Sequence, residues 1–351
     1  MRLFLNASHW FLPLILLAQA SSSRSDDALK RRVQEEYPIA LAKLEARYGT
    51  MHGQADFEEI FSQSDKVPRT EKTAKVDFAF AGNSSKVSST STKSTESHQT
   101  KPVDQLVYQS VHGLNPDYCF YLLKRQAGDE FVLKRVSDDL TQGWSDVLRY
   151  HGGEVRAPIS IDHIPVSLLW KEKRFQIDDV VEETVADGPK RLKIQFTVKR
   201  PADEPILPPN GFNATGWVVV SPEEGWIIRE YYKLSSRNGA PANTRIGKIE
   251  YARSPDGHLD PVKYTQMIYR GRALRENPGD PLVSHKLILK SMKFEALPES
   301  EFRLPAFGIP EVETGKKGAS TARPYWIFAL AIVGFGVAGG LKYLSSRMKR
   351  S

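Results

Sequence analysis

The sequence predicts an α+β protein, mainly antiparallel β, with an N-terminal helix packed on its sheet and a C-terminal transmembrane helix. Three observations carry that reading. Within residues 26–48, Leu29, Val33, Tyr37, Ala40, Leu44 and Tyr48 recur at three- and four-residue spacing, with charges on the other face. After Gly49 the period changes to two. Val76, Phe78 and Phe80 alternate with Asp77 and Ala79, and Leu192, Ile194, Phe196 and Val198 alternate with Lys193, Gln195 and Thr197. Near the end, residues 325–341 carry no charge at all, close to the lower limit for a spanning helix.

Taken in order, the chain opens on a leader pattern. Arg2 gives a basic start, residues 10–17 an apolar run, and Ala18-Gln19-Ala20 a small-x-small site before Ser21. The run is shorter than the roughly 20 residues that cross a bilayer, and Pro13 interrupts it, so residues 1–20 are expected to be a cleaved signal peptide. Asp26 and Asp27 suit the start of the following helix. Pro38 is expected to kink or divide it, and Gly49 to end it.

Further strands are expected at 57–61, 105–111, 118–123, 131–136, 175–181, 216–220, 226–234, 245–252, 262–269 and 285–294. Residues 221–225, 237–239 and 255–257 read as turns, because their glycines accept positive φ without steric cost. Roughly a dozen strands joined mainly by turns imply one large antiparallel sheet with an apolar face, which the N-terminal helix is expected to cover. Residues 83–101, rich in Ser, Thr and Lys, fit either an exposed strand with a loop or disorder. Residues 141–169 hold a short helix and a Gly152-Gly153 break. The Pro-rich stretch 201–213 is the best internal boundary, yet the same two-residue pattern on both sides favours a single domain over 21–310. Residues 311–324 read as a stalk, 325–341 as the span and 342–351 as a basic tail.

Lys342, Arg347, Lys349 and Arg350 follow the span at once, and such residues stay on the cytoplasmic side. With the leader sending the rest outward, the expected location is the bacterial cell envelope: anchored in the inner membrane, the main domain periplasmic, the C-terminus cytoplasmic. The net charge of +7 then resides largely in the leader and tail. The exported portion is nearly neutral, which argues against a nucleic-acid partner. Gly336 and Gly340 permit homodimerisation through the span, but small residues are common in spanning helices, and the spacing alone assigns no dimer.

The residues offer little chemistry. One cysteine excludes an internal disulfide and any Cys-rich metal site. The eight histidines are scattered, with no pair at i, i+4 and no His-x-His. There is no Gly-x-Ser-x-Gly elbow, phosphate loop or dinucleotide fingerprint. Cys119, between Tyr118 and Phe120, reads as a small packed residue. Acidic pairs such as Asp178-Asp179 and Glu223-Glu224 point to opposite faces of a strand. No catalytic residue, metal ligand or cofactor is expected, and no enzymatic activity. The remaining resource is aromatic: Trp217, Trp226, Tyr231 and Tyr251, with Tyr232, Tyr264 and Tyr269 nearby. These rings either line a pocket for an apolar or acyl ligand or fill an ordinary core.

Residues 217–222 and 226–232, the Ile249-Glu250-Tyr251 to Asp256-Gly257 stretch and residues 302–311 (FRLPAFGIPE) carry a local resemblance, over about a third of the chain. A helix followed by a long antiparallel meander behind a leader resembles the LolA/LolB-like periplasmic lipoprotein carrier and acceptor superfamily, most nearly its secreted planctomycete proteins. The resemblance implies a curved half-barrel sheet whose concave apolar face is closed by helices and holds acyl chains. It transfers no individual binding residue. The expected tether at 325–341 departs from a diffusing shuttle. The function expected is a membrane-anchored envelope binding protein accommodating a lipid or lipidated partner. The alternative is a structural or protein-interaction ectodomain with a filled core.

Overall fold

The computed structural model describes residues 12–62, 70–94, 108–184, 188–198, 213–236, 243–270 and 280–312. Helix α1 (Leu12–Tyr48) buries Val33, Tyr37 and Tyr48 of the face read from the spacing, with Leu41 in addition, while Leu29, Ala40 and Leu44 are half-buried. Its backbone is helical from Leu12, well before Asp26. Pro38 lies inside it without dividing it, since the buried face continues from Tyr37 to Leu41 on either side. Beyond Tyr48 the Gly49 amide donates to the Glu45 carbonyl at 2.7 Å, and the chain turns into the sheet.

Among the described residues, thirteen strands form one open sheet. The first six are β1 (Thr50–Phe61), β2 (Thr70–Ala81), β3 (Ser84–Ser94), β4 (Gln109–Leu114), β5 (Cys119–Lys124) and β6 (Val132–Ser137). A small hairpin, β7 (Ser160–Ile161) and β8 (Ile164–Pro165), stands apart from the sheet. The rest are β9 (Phe175–Glu183), β10 (Arg191–Val198), β11 (Asn213–Ser221), β12 (Ile227–Ser236), β13 (Asn243–Arg253), β14 (Leu259–Arg270) and β15 (Val283–Lys293). The order across the sheet is β6-β5-β4-β3-β2-β1-β15-β14-β13-β12-β11-β10-β9, and every pairing is antiparallel. The chain starts in the middle, meanders out to the β6 edge, and must then reach the opposite edge at β9.

That crossing is the part of the fold the periodicity did not show. It runs through α2 (Leu140–Val147), a π-turn at Leu148–Gly152, α3 (Gly153–Val155), a 3-10 turn at Ala157–Ile159, the β7–β8 hairpin and α4 (Val166–Lys171). It packs in turn on β3–β5, β15, β12 and β9. Val147, Val155, Ile159 and Ile161 are wholly or almost wholly buried along it. The inner face is therefore covered by this crossing together with α1, not by the N-terminal helix alone.

Two local devices bend the sheet. Register shifts occur at six places, including Gln54/Ala55 in β1 and Val219/Val220 in β11, and such bulges kink and twist a strand. In addition, four glycines sit directly opposite aromatic residues: Gly53 and Phe78, Gly113 and Phe120, Gly216 and Phe196, Gly247 and Tyr231. In each pair the ring lies across the glycine, where a Cβ would meet it at 3.0 Å or less. A missing side chain lets the ring fold over its neighbour, an arrangement that suits a curved sheet.

The Ser-Thr-Lys-rich stretch is ordered strand from Ser84 to Ser94, pairing with both β2 and β4. Residues 302–311 form a clasp on that side of the sheet. Phe302 and Leu304 are fully buried, Asn115 donates to the Phe302 carbonyl at 3.1 Å, and Phe307 packs edge-on against Phe120 and Phe131. Tyr118 donates to Glu311 at 2.5 Å, so the clasp holds up to Glu311, the last residue of a compact unit. Among the described residues no helix is long and apolar enough to cross a membrane. Residues 1–11, 201–212 and 237–239, most of the expected stalk and the expected span at 325–341 lie outside the described residues.

The Gly247–Tyr231 pair gives a direct test. An alanine there puts its Cβ 2.2 Å from the Tyr231 ring, buried on all sides. Gly247→Ala is expected to lower stability by about 1–3 kcal/mol, the usual cost of overpacking, read as a drop in the urea unfolding midpoint. An unchanged midpoint would show that the ring does not lie where described.

Candidate functional site

Two features stand out on the inner face: a polar cluster that holds the crossing to the sheet, and a cleft between the two ends of that crossing, beside the end of α1.

Adjacent strands β12, β13, β14, β15 and β1 place Lys233, Arg245, Gln266, His285 and Glu59 in a row. Lys233 pairs with Arg245, Gln266 with His285 and His285 with Glu59 in the ladder registers. Onto this row the crossing lowers two buried acids. Asp162 accepts from Lys233 Nζ at 2.6 Å, from Gln266 Nε2 at 3.3 Å and from Arg245. Glu154 faces His163 Nδ1 at 3.6 Å and His285 Nδ1 at 3.8 Å, and His285 Nε2 meets Glu59 at 3.0 Å. Burial by itself would raise the Asp162 pKa. The charges of Lys233, Arg245 and His163 outweigh that and hold it at about 2.

The turn that presents Asp162 is strained. Asp162 and His163 both have positive φ, 51° and 65°, the backbone of a tight hairpin turn that usually selects Asn-Gly. Non-glycine residues in this region cost of order 1–3 kcal/mol each, and the ion pairs of Asp162 offset that cost. Despite the gathering of His151, His163 and His285 near Glu154, no group of three or more His, Cys, Asp or Glu among the described residues is arranged to hold a metal ion.

The cleft has a volume of about 370 Å³. Its walls come from the end of α1 (Glu45, Ala46), the entry to β1 (Gly49, Thr50), Phe80 of β2 with the β2–β3 turn (Gly82, Asn83), Trp144 of α2, Arg156, and Pro165, Ser167 and Leu168 at the start of α4. The Gly82 amide donates to the Gly49 carbonyl at 3.0 Å, tying two walls together, and Ser167 donates to Glu45. Phe80 and Trp144 meet edge to face, their centroids 6.3 Å apart. The Arg156 guanidinium lies over both rings, 5.4 Å from the Phe80 centroid and 5.1 Å from that of Trp144.

The aromatic residues singled out from the sequence lie elsewhere. Tyr231 is fully buried; its hydroxyl is 2.7 Å from that of Tyr264 and accepts from Gln266 at 2.7 Å. Tyr251 donates to the Ile228 carbonyl at 2.6 Å, with Arg229 over its ring. Trp226, at φ 65° in the β11–β12 turn, stacks on Tyr37 of α1 at 5.5 Å. Trp217 pairs in register with Tyr232, stacked at 5.9 Å, so it faces away from Tyr231 on the other side of the sheet. None of the four lines the cleft. Cys119 is packed against Gly143 of α2, and burial raises its thiol pKa, leaving it protonated and unreactive. Of the cleft residues, the sequence names Phe80 as a strand residue and Gly49 as the helix stop, neither as part of a site. Arg156 and Trp144 sit in a stretch with no periodic signal, and nothing short of the fold brings them together.

No family model matches the chain, and no curated protein matches it in sequence. Among solved structures it is similar to a domain from Vibrio parahaemolyticus described as an outer membrane lipoprotein-sorting protein, at 9% identity and a TM-score of 0.40, over 77% of this chain and 97% of that one. It is also similar to a LolA superfamily protein from Nitrosomonas europaea, at 13% and 0.38 over 77% and 98% of the two chains. A DUF1329 family protein from Desulfovibrio piger gives 9% and 0.39 over 78% and 98%. These are neighbours of the kind that the local sequence resemblance pointed to. At these TM-scores the overlap carries no inference about ligand or activity.

Because the Asp162 pKa falls from 3.8 to about 2 on folding, its stabilising contribution is complete above about pH 5 and is lost as pH falls through 2. The contribution is about 2 kcal/mol. Unfolding midpoints measured between pH 5 and pH 2 are expected to fall accordingly. Asp162→Asn is expected to be about 3–5 kcal/mol less stable at pH 7, leaving buried cations without their acid, and to lose that share of the acid dependence. Equal acid dependence in both proteins would contradict the pairing.

Proposed function

We propose that the chain is a binding protein of the bacterial cell envelope, accommodating a lipid or the acyl chain of a lipidated partner in the cleft beside α1. The supporting observation is the cleft itself. At about 370 Å³ it falls in the range of small-molecule pockets, and Phe80, Trp144 and Pro165 give it apolar walls. Leu168 stands at its edge 54% exposed, where an apolar tail leaving the cleft would meet it. Burial of an acyl chain there contributes roughly 0.8 kcal/mol per CH₂. The site sits on a rigid frame, since the crossing is pinned at Asp162 and the β2–β3 turn is tied to Gly49. This reading places the ligand in the cleft, away from the cluster around Tyr231.

The sequence supports a tether at 325–341 with the basic tail on the cytoplasmic side. A fixed binding protein follows, an acceptor or assembly factor instead of a carrier that diffuses. A second reading, an interaction ectodomain without a ligand, is favoured by one observation: beneath the crossing the inner face is filled, with Ile159, Tyr231 and Leu287 fully buried.

Native mass spectrometry of the full chain purified from membranes, followed by organic extraction, separates the two. Co-purifying acyl lipid is expected, reduced at least several-fold by Leu168→Asp, which sets a charge at the mouth without touching the core. Lipid-free protein, or lipid unaffected by the substitution, would favour the interaction reading. Alkaline carbonate extraction tests the tether: the chain is expected to stay with the membrane pellet and to be released when residues 325–351 are removed.

A further inference from the structure

The cleft contains a buried cation whose N–H donors are unmatched. Arg156 is only 6% exposed, yet its Nε and Nη1 have no hydrogen-bond partner, and none of the ion pairs among the described residues involves it. Leaving buried donors unmade is costly, and more so for a charged group. The faces of Phe80 and Trp144 stabilise the guanidinium in part, but a ring offers no acceptor for its N–H groups. Glu45 lies in the same cleft and its charge favours the protonated arginine. However, its carboxylate is engaged by Ser167. Elsewhere on the inner face the cations meet an acid: Lys233 and Arg245 both pair with Asp162.

We propose that Arg156 receives the anionic head of an acidic amphiphile, a carboxylate or phosphate oxyanion whose apolar tail lies along the aromatic walls toward Leu168. This deepens the acyl-binding reading and rests on it. The guanidinium presents several N–H groups in a fixed plane, which suits a planar or tetrahedral oxyanion. With both rings against it and little of the side chain exposed, the guanidinium is largely shielded from water, which strengthens a charge-assisted hydrogen bond. Burial lowers the Arg156 pKa to about 10, so the group is still fully charged at neutral pH. Its place is fixed as well: the Arg156 amide donates to the Gly152 carbonyl at 3.1 Å and its carbonyl accepts from Ile159 at 3.0 Å. The head group therefore meets a positioned donor set and not a mobile surface arginine.

The test is calorimetric titration of the full chain in mild detergent with four probes. These are oleate, oleyl alcohol, a monoacyl phosphate of matched length and inorganic phosphate. Oleate or the acyl phosphate is expected to bind about ten-fold or more tighter than oleyl alcohol, and whichever is the tighter identifies the head group. Arg156→Gln is expected to abolish the preference and Arg156→Lys to keep part of it. Glu45→Gln, which removes the opposing charge, is expected to tighten anion binding. Should oleyl alcohol bind as tightly as the anions, with Arg156→Gln and Glu45→Gln both without effect, the anion site is overturned while acyl binding stands. Binding of inorganic phosphate alone, lost in Arg156→Gln, would keep the anion site and overturn the acyl reading. No binding by any probe would overturn both. Thermal unfolding of each variant excludes loss of fold, and Glu45→Gln keeps the proposal open to refutation if Arg156→Gln does not fold.

Discussion

The single crossing of the inner face is the constraint on which the rest of the structure depends. An open sheet built as two meanders that meet at β1 and β15 leaves its last outward strand and its first returning strand on opposite edges. The chain between them has to traverse the concave side, and whatever it carries becomes the core. Apolar residues of the crossing supply most of the burial. The register comes from charge: Asp162 reaches two cations that β12 and β13 place side by side. A carboxylate in that position accepts from Lys233, Arg245 and Gln266 at once, so one residue fixes the crossing in both directions along the sheet.

Pinning the crossing also creates the cleft. Because α2 packs over β3–β5 and α4 over β9, a gap remains near the end of α1, between the two ends of the crossing. Its walls are drawn from five separate segments, each held by its own contacts, which is the usual condition for a preformed pocket. Filling the centre while opening one end reconciles the two readings of the aromatic content. Tyr231, Tyr251 and Trp226 serve as core and as braces for α1, and the vacant space is left to Phe80 and Trp144.

Much of this was legible in the residues, and the failures have physical causes. Half-buried strands announce themselves by alternation, so β2, β10 and β12–β15 were readable, as was the helix from its spacing. Strand β3 was obscured because Ser, Thr and Lys pair in a ladder as well as apolar residues do, while advertising no buried face. The crossing had no period to find: its burial follows from its path, and turns at Asp162-His163 lack the glycine that normally marks them. Trp217 could have been separated from Tyr231 by parity alone, once Trp217 and Tyr232 were known to be cross-strand partners. The glycines opposite Phe78, Phe120, Phe196 and Tyr231 required the register itself, and Arg156 required the whole fold.

The central claim is that the crossing is an integral layer of the core and not a lid that lifts from the sheet. Native-state hydrogen exchange at the Ile161 and Ile164 amides, compared with those of β13, tests it most directly. Amides in a pinned layer open only with the whole domain, so both sets should exchange at similar rates and respond alike to denaturant. Exchange at Ile161 and Ile164 faster by orders of magnitude, while β13 stays protected, would show that the crossing detaches on its own and would contradict the account.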